Sequence, residues 1–272
     1  MLKQKLKIGI PSYLFLILCA VIWLSPIAVA LVKSFQIGGL DNYKYVLTYE
    51  KISYFRVVFN SLFIAVVTAI VVTVITTLAA YSFSKMQFKG NKLLYGMILA
   101  CLAVPIASVT TPLFSIIKNL DFLDKHIGVI MPLVAFHAPM MLFMIKNYFD
   151  TIPDELLESA RMDGSSSFRI WYEFMIPLGK PIIANPIIAN VMVLTFIYSW
   201  NDYLVPLLVL RSEENYTVTL AAQYFMSSTY QSPEDVARLY AVMLLLTLPS
   251  IIVYLFSQKF LVAGITAGSV KG

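Results

Sequence analysis

Asn60–Phe83 reads NSLFIAVVTAIVVTVITTLAAYSF, and none of its residues is Asp, Glu, Lys or Arg. A helix needs about 20 consecutive apolar residues to cross a bilayer. In lipid every backbone N–H and C=O must be satisfied within the segment, so such a run is a transmembrane helix and not an open strand. Five further stretches meet the same test: Ser12–Val32, Leu93–Ile117, Ile127–Ile145, Pro181–Tyr198 and Leu239–Gln258. All are too long and too uniformly apolar for the alternating strands of a membrane barrel. The expected fold class is all-α, a polytopic membrane helical bundle with about six transmembrane helices. It is expected to form one domain over residues 1–272.

Composition agrees. Hydrophobic residues make up 59% of the 272 and charged residues 13%, against about 25% charged in soluble domains. The mean hydropathy is +0.79. The net charge of +5 does not point to nucleic acid, because no basic cluster is interleaved with aromatics. Cys19 and Cys101 lie in apolar runs with no disulfide or zinc spacing, so no metal site is expected.

Loop charge sets the orientation. With the N-terminus inside, the cytoplasmic segments 1–11, 84–92, 146–180 and 259–272 carry 12 Lys and Arg, and the external segments carry 8. The excess lies on the cytoplasmic side, as the positive-inside rule requires. Six crossings then return the C-terminus to the cytoplasm. Lys3, Lys5 and Lys7 before the first run, with Ala28-Val29-Ala30 near its end, also fit a cleaved signal peptide. The apolar character continues to Val32, longer than a signal core, which favours a retained helix. Pro26, Pro105, Pro112, Pro132, Pro139 and Pro249 are expected to bend or break their helices. No internal repeat is visible, which argues against secondary transporters built from repeats.

The one sizeable cytoplasmic loop is Lys146–Lys180. Thr151 is placed to cap a helix, and Pro153, Asp154 and Glu155 suit its first turn. Leu156, Leu157 and Ala160 are spaced for one apolar face, and Gly164 is a natural stop. Ser165–Ser167 offer a cap for a second short helix with Phe168, Trp171 and Tyr172 on one side. The spacing predicts two short helices with a turn at Asp163-Gly164, lying under the membrane. One reading is an amphipathic element resting on lipid. Such elements carry a basic polar face, whereas this helix offers Asp154, Glu155, Glu158 and Asp163, which suits a basic protein partner better.

Glu158-Ser159-Ala160, Asp163-Gly164, Phe168 and Ile176-Pro177-Leu178 with Pro181 resemble the EAA loop of bacterial ABC importer permeases. Ser159 replaces the usual alanine, and Phe174 and Ile176 stand where isoleucine and leucine are frequent. The resemblance implies that Glu155, Glu158, Ser159, Ala160, Asp163, Gly164 and Phe168 dock on an ATPase subunit. Trp200-Asn201-Asp202-Tyr203 with Pro206-Leu207, Asp41-Asn42-Tyr43, Asn60-Ser61-Leu62 and the ending Phe260–Gly272 resemble the carbohydrate, maltose-type second permease. Amino-acid, phosphate and peptide permeases share the docking loop; these other stretches favour a sugar or oligosaccharide. The family implies two non-identical permeases, two ATPase subunits and an extracytoplasmic solute-binding protein in a bacterial cytoplasmic membrane. It also implies that the tail, with Gly268, Ser269 and Lys271, inserts between the ATPases.

No Gly-x-x-x-x-Gly-Lys-Ser/Thr loop occurs, since Gly179-Lys180 runs into Pro181. The chain is therefore not expected to be an enzyme or to hold a cofactor; ATP and Mg²⁺ would belong to partner subunits. His137 is the only titratable candidate within a span, as a packing residue or a proton relay. A passive channel, a secondary transporter or a membrane scaffold would have no use for an acidic folded docking helix. Candidates for the substrate path are Asn190, Tyr198, Trp200, Asn201 and Asp202. Trp200 also fits an interface anchor, and Asn201 also fits a cap for the following turn. The polar external segment Arg211–Asp235 is either an ordinary loop or a contact for the binding protein through Gln223 and Tyr224. The tail from Thr266 is glycine-rich and expected to be flexible.

Overall fold

The computed structural model describes residues 10–176, 186–228 and 232–269. Among them the chain is helical, with no strand. The α-helices are α1 (Ile10–Phe35), α2 (Asp41–Leu47), α3 (Tyr54–Lys85), α4 (Asn91–Ala100), α5 (Thr110–Asn119), α6 (His126–Phe149), α7 (Asp154–Met162), α8 (Ser167–Ile170), α9 (Pro186–Asn201), α10 (Leu204–Val209), α11 (Val218–Ser228) and α12 (Pro233–Ser269). α1, α3, α6 and residues 233–256 of α12 are each long and apolar enough to cross a membrane. The α4–α5 pair qualifies together as one bent span, and α9 is a shorter apolar helix. Residues 177–185, where the fifth span was expected to begin, lie outside the described residues.

Contacts divide the chain into two compact units. The first comprises Met1–Glu50 and Ala222–Leu248. There Asn42 reads out the Asp41-Asn42-Tyr43 stretch: its buried amide donates to the carbonyls of Ser34 (2.9 Å) and Ile37 (3.0 Å). Tyr43 meets the Ser34 hydroxyl at 2.6 Å. The carbonyls left open at the end of α1 are thus satisfied by the next helix. Lys33 lies over the Tyr240 ring and Arg238 over the Tyr45 ring. α12 begins at Pro233, inside the polar segment Arg211–Asp235 and ahead of the apolar run that starts at Leu239. Ser232 accepts the Asp235 N–H, Pro233 leads the helix, and Glu234 and Asp235 fill its first turn, each favoured at a helix N-terminus.

The second unit comprises Lys51–Ala221 and Pro249–Gly272. Its axis is α3, whose buried residues include Ala65, Thr68, Ala69, Val72, Thr73, Thr76, Thr77 and Ala80. This is a stripe of mostly small side chains at three- and four-residue steps, which lets neighbouring backbones approach closely in lipid. α3 packs along α6 and α9. One core cluster holds Tyr81, Met141, Ile145, Phe149, Leu157 and Trp171; another holds Ile64, Ile117, Val129, Leu133, Val205 and Leu210. The outward faces of α3, α6 and α9 keep residues such as Phe59, Ile70, Met131 and Met192 exposed, as lipid contact requires.

The third span departs most from expectation. The sequence predicts one helix from Leu93 to Ile117, but residues 91–103 and 106–119 are bent by 95° relative to each other. Val104 is extended (ψ 116°) ahead of Pro105, because the proline ring excludes the preceding residue from the helical region. α6 by contrast runs through Pro132 and Pro139 without ending. α12 continues as helix to Ser269, so the expected flexible tail is helical at least to that residue.

Candidate functional site

The loop after α6 folds as the spacing predicts, with differences at its start. Thr151 does not cap α7. Its hydroxyl donates 2.7 Å to the Tyr148 carbonyl, closing the end of α6, and the N-cap position belongs to Pro153. α7 ends in a complete Schellman turn. Gly164 has φ +81°, its N–H donates to Arg161, and the Ser165 N–H donates to Ala160, both at 3.0 Å. Glycine supplies this left-handed conformation without steric cost. Ser166 then caps α8 by accepting the Arg169 N–H at 3.3 Å. After α8 the chain widens into one π-helical turn over Trp171–Met175.

α7 has two faces. Leu157 and Ala160 are buried in the core cluster with Phe149 and Trp171, while Glu155, Glu158, Ser159, Asp163 and Gly164 are exposed. Ala160 therefore faces inward and does not belong to the surface offered to a partner. Leu156 also breaks from the expected apolar face and lies outside. Phe168 and Tyr172 are 68% and 63% exposed, but Trp171 is buried beside Phe168, ring centres 5.2 Å apart. The three aromatics thus split into an outward pair and an inward anchor. The result is a rigid, acid-edged helix with a bare phenylalanine next to it. Pro177, Leu178 and Pro181 of the motif lie outside the described residues.

The seat beneath α7 comes from a residue that sequence reading left among the loop charges. Lys85, the last residue of α3, has its side chain 4% exposed. It donates 2.6 Å to the Ile152 carbonyl and 2.7 Å to the Asp154 carboxylate. That hydrogen bond and charge hold Asp154 below the usual carboxylate range. Ser84 donates 2.7 Å to Asp150, which also pairs with Lys146 at 2.7 Å. Lys146 in turn lies over the Tyr95 ring.

The substrate-path candidates lie on α9 and just after it, in different surroundings. On α9, Asn190 is 3% exposed and its carbonyl oxygen has no partner; Thr195 and Ser199, also buried, have unpartnered hydroxyls. Tyr198 is exposed, with His137 5.8 Å from its ring. Trp200 is buried and stacked on Phe196 at 5.8 Å. Asn201 donates back to Ile197 within its own helix, so the cap of α10 falls to Asp202, which accepts the Val205 N–H at 2.9 Å.

The segment after α10 is tied down by residues whose role the sequence did not disclose. Asp124, at φ +56°, accepts from the Arg211 and Ser212 N–H groups at 2.9 and 3.0 Å and from the Ser212 hydroxyl. Burial raises its pKa, but these hydrogen bonds outweigh it and bring the carboxyl down to about 2. Asn60 donates to the carbonyls of Glu214 (2.8 Å) and Tyr216 (3.1 Å), and Ser61 accepts the Val218 N–H. The Asn60-Ser61 pair noted in the sequence is thus a clamp on this segment. Gln223, exposed, and Tyr224, half-buried, lie on α11. Tyr230, Gln231 and Lys271 lie outside the described residues; Gly268 and Ser269 are on the last turn of α12.

Comparison with known proteins places this arrangement. Residues 72–267 match the family described as "Binding-protein-dependent transport system inner membrane component". The chain is 33% identical to the arabinooligosaccharides transport system permease protein AraQ of Bacillus subtilis, over 87% of this chain and 80% of that one. It is 31% identical to the maltodextrin transport system permease protein MdxG of the same organism, over 96% and 95%. In fold it is similar to a chain of a bacterial ABC transporter involved in the import of the acidic polysaccharide alginate, with a TM-score of 0.78. That likeness covers 92% of this chain and 95% of the other at 23% identity.

Proposed function

Since the chain belongs to the family of inner membrane components of binding-protein-dependent transport systems, we propose that it is one permease of a sugar or oligosaccharide importer driven by partner ATPases. The observation that carries this reading is α7, an exposed acidic helix with a fixed glycine stop and its apolar face sunk into the core. Such a helix transmits force from whatever grips its outer edge. Glu155, Glu158, Ser159, Asp163, Gly164 and Phe168 form that edge, and the ATPases supply the ATP and Mg²⁺ sites. A second, non-identical permease completes the pathway, and both termini face the cytoplasm. Carbohydrate as cargo is supported by the relatives that carry arabino-oligosaccharide and maltodextrin names.

In this reading ATP closes the ATPases, α7 moves with them, and the pathway switches by rigid-body alternation. Gln223 and Tyr224 meet a loaded binding protein on the external side, while Asn190 with Tyr198 and Asp202 face the sugar path. The switch works only because nucleotide binds the two docked states unequally. The test is uptake of labelled maltodextrin or arabino-oligosaccharide into vesicles that hold this chain, its partner permease, the ATPases and the binding protein. Uptake is expected only with ATP and binding protein together. Uptake that needs neither, or a chain that captures no ATPase, overturns the proposal.

A further inference from the structure

The last turn of α3 grips both ends of the linker that carries α7. At residue 150 the grip is Ser84 on Asp150 at 2.7 Å, reinforced by Lys146. At residues 152 and 154 it is Lys85, which bonds the Ile152 carbonyl and the Asp154 carboxylate together. Asp154, the first residue of α7, is 75% exposed, so its pair with Lys85 holds a helix end that water can reach. A lysine side chain only 4% exposed is costly unless its ammonium is paired. The aliphatic stem packs while Asp154 and Ile152 take the charge. Without the Asp154 carboxylate, Lys85 keeps only the Ile152 carbonyl as acceptor and its charge has no counter-ion there.

We propose that Ser84 and Lys85 form a latch through which displacement of α7 is passed directly to α3. The latch rests on the reading that α7 receives motion from an ATPase. Without it, the short linker of residues 150–153 absorbs part of any movement of α7. With it, α7 and the end of α3 move as one body, and α3 packs along α6 and α9. A cleft of about 490 Å³ lined by Lys85, Gln87, Asp154, Leu157, Glu158 and Arg161 lies beside the pair. Leu157 and Ala160 of α7 share a core cluster with Ala80 and Tyr81 of α3, so the latch adds a polar tie at the helix end, beside that cleft, to the apolar contact. Lys85 and Ser84 are positioning residues: they touch neither the sugar nor the nucleotide.

The experiment uses the complete complex in proteoliposomes. Lys85→Met, Asp154→Asn and the swap Lys85→Asp with Asp154→Lys are compared with the charge-keeping Lys85→Arg. The readout is stimulation of ATP hydrolysis by sugar-loaded binding protein, together with sugar moved per ATP. The two neutral variants are expected to assemble and keep basal hydrolysis while losing stimulation about fivefold or more, the low end of site-to-site coupling. Lys85→Arg is expected to keep most of it, and the swap to regain part. Neutral variants with normal stimulation overturn the latch, as does a Lys85→Arg that loses as much as Lys85→Met. Failure of all variants to assemble also overturns it, in favour of a folding anchor. A wild-type complex without ATP-dependent uptake overturns the importer reading itself, and the latch with it, a result distinct from the others.

Discussion

Asp124 concentrates more hydrogen bonding than any surface carboxylate needs for solubility, and its left-handed backbone aims them at one target, the start of the segment after α10. Because its folded pKa of about 2 lies below the ordinary 3.8, its contribution is fully present above pH 3.8. It is lost as pH falls toward about 2. Asp124→Ala should lower the stability of this segment by about 1–2 kcal/mol, since Arg211 and Ser212 lose their acceptor. The check is protease nicking of residues 210–218 in the detergent-solubilised variant against wild type, both at neutral pH. Unchanged nicking would remove the role. Glu158 is the opposite kind of residue, exposed on the outer edge of α7. Glu158→Ala should change stability by no more than about 0.5 kcal/mol yet lower ATPase stimulation in the complex. Gly164→Leu should lower both stability and stimulation, because a left-handed φ (+81° here) costs a residue with a Cβ about 1–2 kcal/mol. Equal stimulation in Glu158→Ala and wild type would remove that edge from the docking surface.

At the scale of elements, close approach decides the corner where α5, α6 and α10 meet. A Cβ on Gly128 would collide with the Phe122 carbonyl oxygen and lie 2.9 Å from the Val209 side chain. Gly128→Ala should therefore push α6 away from the turn before it and cost about 1–3 kcal/mol. Thermal unfolding in detergent would register this, and a wild-type midpoint would refute it. The apolar runs made the elements themselves legible, since absence of charge over a span is a strong signal. The break at Pro105 was legible as a proline but not as a 95° turn, because Pro132 and Pro139 show the same residue inside an unbroken helix. What separates them is burial, which is non-local: Pro132 and Pro139 are buried, whereas residues 101–108 around Pro105 are exposed. The outward edge of α7 was legible because acids, small residues and a glycine fall in a helical period. Its seat was not, because Lys85 and Asp154 are far apart in sequence and nothing local marks a lysine as buried. Thr151 is ambiguous for a local reason: it lies between the end of α6 and the start of α7, and its hydroxyl closes the former.

The whole molecule raises the question of what its longest helix does beyond the membrane. α12 has 37 residues, about 55 Å at the usual rise, against a hydrocarbon core of about 30 Å. Its apolar window ends by Phe256, so the turns up to Ser269 project about 20 Å past it. Helical order there changes the argument for the tail. A flexible glycine-rich end would reach a partner only by losing entropy on binding, whereas a helix already presents Gly264, Gly268 and Ser269 at fixed spacing. Small residues on a projecting helix allow close approach between two moving subunits, where larger ones would hold them apart. On the importer reading, the ATPases close beneath the permeases, and this end is available to sense or limit that closure. Removing Thr266–Gly272 takes away the last described turn of α12 and leaves the apolar span intact. The truncated chain should therefore insert and assemble as wild type does. Its ATP hydrolysis should respond less to sugar-loaded binding protein, and uptake in vesicles should fall with that response. Measuring both rates per assembled complex separates this from loss of protein. If the truncated complex transports at the wild-type rate, the end of α12 is a passive extension and closure is governed through α7 alone.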